Sequence, residues 1–318
     1  MKPDFKITLD GKEIFQVNNL IKSISITDEI DTLSDRVRIE INDQFENIAI
    51  PKAGVSLTVS LGYKGNIKKM GVYNIDDILV KPGSISVSGK GFSTGSEIKK
   101  VRSRNYDSNI VKDIVEKIGK ENNLEVICSD FKNETNFTHH EESDIHFLTR
   151  LAKSCDAIFK IQAGQLLFYP KHKEENKKGQ KLDIIKISKY NVSDYNLVLS
   201  GRAEYKKVEA VVLDLDTGDR KIVFFGEERP VLRLPGTYQD EQEAINDCKS
   251  FLNNQGYASK KFSLVAPGNP SFKAGLQVEL SNFRDGINGK WTIQQAQHEL
   301  RNTYITNLEL VKGKVING

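Results

Sequence analysis

The chain has 318 residues, 38% of them hydrophobic and 28% charged, with a formal net charge of +3. That length accommodates two or three domains with a sizeable core, and so small a charge gives no general reason to expect a nucleic acid or an anionic membrane as partner. Cys128, Cys155 and Cys248 are widely spaced with no CxxC pair, which argues against a disulfide framework or a cysteine zinc site and favours a reducing compartment during assembly. The start "MKPDFKITLDGKEI" has no apolar leader core, and no stretch approaches the roughly 18 apolar residues of a membrane span, so neither secretion nor membrane insertion is expected.

Residues 1–98 have the pattern of β structure. "SDRVRIEIND" alternates, placing Val37, Ile39 and Ile41 on one face, and "VSLTVSLGY" and "GSISVSGKGF" keep the same two-residue period. Near residue 100 the period changes. Ile110, Val111, Ile114, Val115 and Ile118 fall at helical spacing, with Asp107, Ser108 or Asn109 as candidate caps and Gly119 or Asn122-Asn123 as the stop. A strand "LEVICS" follows, then a second helix after "THHEESDIHF", then a hairpin in "AIFKIQAGQLLFYPK" turning at Ala163-Gly164. The charge run "KHKEENKKGQK", residues 171–181, has the composition of a solvated loop. From about residue 199 the pattern is β again, with a hairpin through Asp216-Thr217-Gly218-Asp219 and one helix in "DEQEAINDCKSFLNNQGYA", which has Gly256 near its end.

The two β regions share a motif. Lys52-Ala53-Gly54 corresponds to Lys273-Ala274-Gly275; each triplet leads into an alternating strand and a Gly-containing turn. A Gly-x-aromatic-x-Ile unit then closes both: Gly71, Tyr73 and Ile75 against Gly289, Trp291 and Ile293. Two hairpins could converge on such chemistry, but the ordered recurrence of three features favours duplicated β domains. The division expected is 1–98, a first β-barrel domain; 99–198, a central α/β domain; and 199–318, a second, related barrel domain with one helix.

Three of the five histidines, His139, His140 and His146, stand beside Glu141, Glu142 and Asp144. A zinc hydrolase or a cell-wall-cleaving enzyme using this region is the alternative to a structural reading. The order H-H-E-E-S-D-I-H lacks the i, i+4 histidine pair of a zinc helix, however, and His172 and His298 are remote. Ser143 as N-cap, carboxylates at the helix start, and a stripe of Ile145, Leu148, Leu151, Ala152 and Cys155 account for the same residues structurally. No phosphate loop is present; "GKGFSTGSE" follows a hairpin and reads as a turn, and "DLDTGD" lacks the EF-hand Gly and Glu positions. Cys155 and Trp291 sit where packing accounts for them. No catalytic, cofactor-binding or metal residue is therefore assigned, and no cofactor is expected.

The order of motifs resembles the late control gene D family, the baseplate hub proteins of contractile-tailed bacteriophages, and the hub part of type VI secretion spike proteins. The resemblance rests on "SISITDEIDTLSDRVRIEIND", "PKAGVSLTVSLGY" with "MGVYNIDDI", "EESDIHFLTRLAKSCDA", and "AGLQVELSNF...INGKWTIQQAQHEL...YITNLEL". It implies a mainly β fold with an α/β insertion, two tube-type barrel domains flanking a central helical one, and a non-enzymatic homotrimer whose six barrels imitate a sixfold ring. The implied partners are the tail tube protein, a central spike, baseplate wedge and tape-measure proteins, and DNA or other cargo in the channel. The implied location is the tail baseplate of a particle assembled in a bacterial cytoplasm.

Overall fold

The structure is a computed structural model that describes the chain except residues 1, 15–18, 31–33, 92–96, 107–109, 132–138, 163, 171–183, 200–204, 215–216, 228 and 313–318, and the side chains of 162 and 253–259. Charge run 171–181, His172, and the candidate caps Asp107, Ser108 and Asn109 lie outside the described residues.

The first β region contains β1 (Pro3–Leu9), β2 (Lys12–Glu13), β3 (Ile21–Glu29), β4 (Arg36–Asp43), β5 (Ser56–Tyr63), β6 (Asn66–Lys81) and β7 (Gly83–Lys90). The alternation works as expected. Val37, Ile39 and Ile41 are buried while Arg36, Arg38 and Glu40 face outward. Spatial order is β3-β4-β7-β6-β5-β1, every neighbour antiparallel. All six strands send one face into a single core containing Ile7, Ile26, Ile39, Val59, Tyr73 and Val87. Six strands sharing one core on one side describe a strongly curved sheet.

The central region holds β8 (Val101–Arg104), α1 (Val111–Glu121), β9 (Glu125–Cys128), β10 (His139–Ser143), α2 (Asp144–Ser154), β11 (Ala157–Gln162) and β12 (Gln165–Pro170). Both helices pack on the β11-β12-β9 sheet around Val115, Leu148, Leu151 and Phe168. Ile110 is the N-cap of α1 and is exposed, so the apolar stripe begins at Val111. Asn122 and Asn123 end the helix, whereas Gly119 is inside it: a Cβ there would fall 2.1 Å from Val126 Cγ2.

The remaining elements are β13 (Ile185–Ser188), β14 (Asp194–Leu199), β15 (Lys207–Leu213), β16 (Arg220–Gly226), β17 (Val231–Tyr238), α3 (Glu241–Ser259), β18 (Lys260–Pro267), β19 (Gln277–Ser281), β20 (Gly289–Leu300) and β21 (Tyr304–Val311). Strands β13, β14 and β18–β21 form a second curved unit around Phe262, Val278, Trp291, Ile293 and Leu310. Strands β15, β16 and β17 do not join it. They form a separate three-stranded sheet whose apolar face α3 covers through Ala244, Cys248 and Leu252. Residues expected to belong to the second β domain are thus a small α/β insertion. The physical reason is that β15 pairs β17 in parallel, and a helix covers the side chains that pairing presents.

The internal resemblance is structural. Gly54 N–H donates to Ile75 O at 2.7 Å and Ile75 N–H to Val55 O at 3.1 Å; Gly275 N–H donates to Ile293 O at 2.8 Å and Ile293 N–H to Leu276 O at 2.9 Å. Both glycines have positive φ, +83° and +88°, a backbone state that other residues reach only with strain. Register breaks follow at equivalent points, between Ile75 and Asp77 on β6 and between Ile293 and Gln295 on β20. Spatial order also repeats: β3-β4-β7-β6-β5-β1 corresponds to β14-β18-β21-β20-β19-β13, differing only in that β13 runs parallel to β19. The α/β insertion interrupts the copy between the counterparts of β3 and β4.

Candidate functional site

Histidines 139, 140 and 146 do not converge. His139 is buried and stacked on Phe147 with ring centroids 4.6 Å apart. Its Nε2 lies 2.9 Å from Glu142 O, which can only accept, so Nε2 carries the proton and Nδ1 accepts from the Tyr106 hydroxyl at 2.8 Å. His140 is exposed and reaches Ser103 Oγ at 3.2 Å, and His146 is exposed on α2. His139–Ser143 forms a strand against β8, and Ser143 then caps α2, accepting from His146 N–H at 3.3 Å. Arg150 on that helix meets Glu142 at 2.6 Å and Glu243 of α3 at 3.2 Å. Asp144, expected as a carboxylate at the helix start, has a further role that its sequence position did not show. It is fully buried, accepting from Arg104 at 3.1 Å and from Asn122 Nδ2 at 2.9 Å, and so pins α2 to β8 and the end of α1. Among the described residues, no group of three or more His, Cys, Asp or Glu side chains could hold a metal ion.

Burial raises all three thiols, Cys128 and Cys155 to about 12 and Cys248 to about 11, so at neutral pH none is a ready nucleophile. "DLDTGD" forms the β15–β16 connection: Asp214 N–H donates to Asp219 O, Gly218 N–H to Asp214 O, and Thr217 N–H to Asp214 Oδ1. That carboxylate is therefore engaged with the turn it organises.

The distinctive geometry lies where the two β units meet. β20 is long enough for two partners on one edge: β19, through Gln277–Leu280, pairs with its first half, and β3 pairs with its second. Gln295 to Leu300 run antiparallel to Glu29 to Ile24, fusing both units into one 13-stranded sheet. Ile30 N–H closes the end of this ladder on Gln294 O at 3.0 Å.

Lys160 of β11 enters this junction from the central region. It is buried between Asp28, at the end of the β3 pairing, and Asp35, which it meets at 3.1 Å. Asp28 also accepts from Ala274 N–H at 3.0 Å, so one carboxylate touches the central region and both β units. Desolvation, then repulsion from Asp28, pushes the Asp35 carboxyl up to about 7, against the pull of Lys160. Burial would lower the Lys160 ammonium, but the two carboxylates outweigh it and raise the group. The arrangement fixes three regions relative to one another. Its one sequence signal was a lysine inside "AIFKIQ", flanked by Ile158, Phe159 and Ile161, all buried.

No protein-family model matches the chain. Proteins of Escherichia phages P2 and 186, each described as "probable baseplate hub protein", align with it over 98% of its length and 93% of theirs, at 22% and 24% identity. The chain is similar to these phage baseplate hub proteins along almost its whole length. The 43 kDa tail protein of the Shewanella oneidensis prophage MuSo2 shares its fold across 98% of both chains, with TM-score 0.74 and 14% identity. An E. coli component of the type VI secretion system has TM-score 0.62 and 11% identity over 98% of this chain and 78% of its own. The mainly β fold with a helical centre is thus that of a tail protein, as the resemblance implied. Both relatives are described as baseplate hub proteins, and the hydrolase alternative resting on His139, His140 and His146 has no support among them.

Proposed function

We propose that the chain is a structural hub of a contractile-tail baseplate, acting as a homotrimer that presents six similar β units in a ring. The observation that carries this is the duplicated unit, joined to its copy by continuous strand pairing rather than by a flexible linker. A repeated fold in a trimer offers sixfold-like contacts on one side and threefold contacts on the other. The sixfold side suits the tail tube protein and the threefold side a central spike. Wedge and tape-measure proteins are further partners, and the ring would continue the channel for DNA or other cargo. The place of action is the tail baseplate of a particle assembled in a bacterial cytoplasm. No helix among the described residues is long and apolar enough to cross a membrane.

We draw the domains to match: 1–98 as the first β unit, a central α/β region beginning at 99, and a second β unit that includes β13 and β14 and carries the α/β insertion. Electron microscopy of the particle with the chain tagged tests the function. A threefold ring at the distal end of the tube is expected; a tag elsewhere on the particle, or an asymmetric single copy, overturns it.

A further inference from the structure

The internal junction uses β3 from one unit and the second half of β20 from the other. Each has a counterpart that is not so used. β14 is the counterpart of β3, and among the described residues it pairs with β18 alone. The second half of β6 is the counterpart of the second half of β20, and among the described residues it pairs with β7 on one side only, because the ladder with β5 ends where Ser56 faces Asn74. Both free edges are apolar. Leu79 and Val80 are 47% and 50% exposed, and Val198 and Leu199 are 53% and 64% exposed. Unpaired apolar edges of this kind are templates for another chain.

We infer that β14 of one copy pairs antiparallel with the 77–81 segment of β6 in the next, repeating the β3–β20 junction between chains. The register follows from the duplication. Ile293 faces Leu310 and Ile75 faces Gly89, so the register breaks superimpose Gln297 on Leu79. Thr27 reaches Lys90 through Arg36, and Val198 reaches the equivalent Val311 through Lys261, so Thr27 superimposes on Val198. Gln297 faces Thr27 within the chain; Leu79 therefore faces Val198 between chains, flanked by Ile78 opposite Leu199 and Val80 opposite Leu197. The pairs Gln297–Thr27, Ala296–Asp28 and His298–Ile26 of the internal junction each contain a polar side chain. Their intermolecular counterparts are apolar throughout, as suits a contact made between separate chains in water. Lys81 and Pro82 end the segment, limiting how far any strand can extend along it. The contact is head-to-tail, so it leaves one free edge at each end until the ring closes.

This inference rests on the trimeric reading, and one experiment separates the two. Leu79→Cys and Val198→Cys are made singly and together in the full-length chain, oxidised, and analysed beside the native mass of each sample; the unaltered chain controls for its own three cysteines. Cross-strand Cα separations lie within disulfide reach. The expected result is a trimeric mass, covalent ladders ending at three copies for the double variant, covalent dimers when the single variants are mixed, and none from either alone. A trimer without these crosslinks, or a dimer formed by Val198→Cys alone, overturns the strand pairing and leaves the hub reading standing. A persistent monomer at high concentration, without crosslinks, overturns both. Val198→Lys is expected to give a folded monomer with unchanged circular dichroism; a trimer that survives it also overturns the pairing.

Discussion

Buried titratable groups sit on both sides of the intramolecular junction, and they respond to pH in opposite senses. His298 of β20 donates from Nε2 to Phe272 O at 3.0 Å and lies 2.9 Å from the Tyr304 hydroxyl. Burial lowers it to about 4, below its ordinary 6.5. Between those values the unfolded chain binds a proton that the folded chain refuses, so stability falls as pH drops from 6.5 towards 4. Asp35 works the other way. Its folded value of about 7 lies above the ordinary 3.8, so the folded chain holds the extra proton and stability falls as pH rises from about 4 to 7. His298→Gln keeps a donor and an acceptor without the titration, and should flatten the acid limb of denaturation midpoints measured from pH 7 to 4. Lys160→Met leaves two carboxylates facing each other. It should cost about 3 kcal/mol at neutral pH, and part of that should return at pH 5, where Asp35 is protonated. An equal loss at pH 5 and pH 8 would show that the lysine acts by packing alone. A third residue makes a cleaner contrast. Tyr73 and Trp291 occupy equivalent core positions, but the Trp291 Nε1–H donates to Ile287 O, while the buried Tyr73 hydroxyl finds no hydrogen-bond partner among the described residues. Trp291→Ala should cost about 3–5 kcal/mol, and Tyr73→Phe should be neutral or stabilising by up to about 1 kcal/mol, both read from urea denaturation.

At the scale of elements, the duplicated Gly corners give a matched test. Gly54 and Gly275 share positive φ and the same hydrogen bond, but a Cβ at Gly54 meets nothing within 4 Å, whereas one at Gly275 lies 2.7 Å from Ile158 Cδ1. Gly54→Ala should therefore cost about 1 kcal/mol of backbone strain, and Gly275→Ala somewhat more, because the end of the Ile158 side chain must also move aside. Equal costs in denaturant titrations would mean that the two corners are not equally strained. These corners were legible in the sequence because Lys-Ala-Gly and Gly-x-aromatic-x-Ile are local patterns. So were β4, β5 and β7 from their alternation, α2 from Ser143 and its stripe, and the β11–β12 hairpin. What was not legible depended on pairing at long range. Nothing local says that β13 lies beside β19, or that β3 finishes the edge of β20. The Lys160 cluster was hidden for the same reason: Asp28, Asp35 and Lys160 come together only when three regions have folded, 125 residues or more separating the lysine from each carboxylate. The separate α/β insertion was masked because a parallel β15–β17 pair has the same residue pattern as part of a larger sheet.

At the scale of the whole molecule, the duplication predicts which parts are dispensable. Leu199 and Lys260 face each other across the β14–β18 pair, so residues 200–259 leave and re-enter the sheet at a single point. In the first unit the counterpart strands β3 and β4 are joined by only a short connection, residues 30–35. The insertion has its own sheet and core. Polar ties to the central region include Glu243 on Arg150 and the Ser250 hydroxyl on Lys153 O at 2.6 Å. Replacing residues 200–259 by Asn-Gly, whose two-residue turn suits a right-twisted antiparallel pair, should give a chain that still unfolds cooperatively and keeps the 13-stranded sheet. Partial exposure of Arg150 and the outer face of α2 should lower the denaturation midpoint modestly. Because the insertion supplies neither β14 nor β6, the number of copies in the native assembly should not change. A shortened chain that loses cooperative unfolding would show that the insertion is part of the second unit's core. One that folds but no longer associates would place the contact between copies on β15–β17 or α3, and would move the ring's interface away from the edges that the internal symmetry selects.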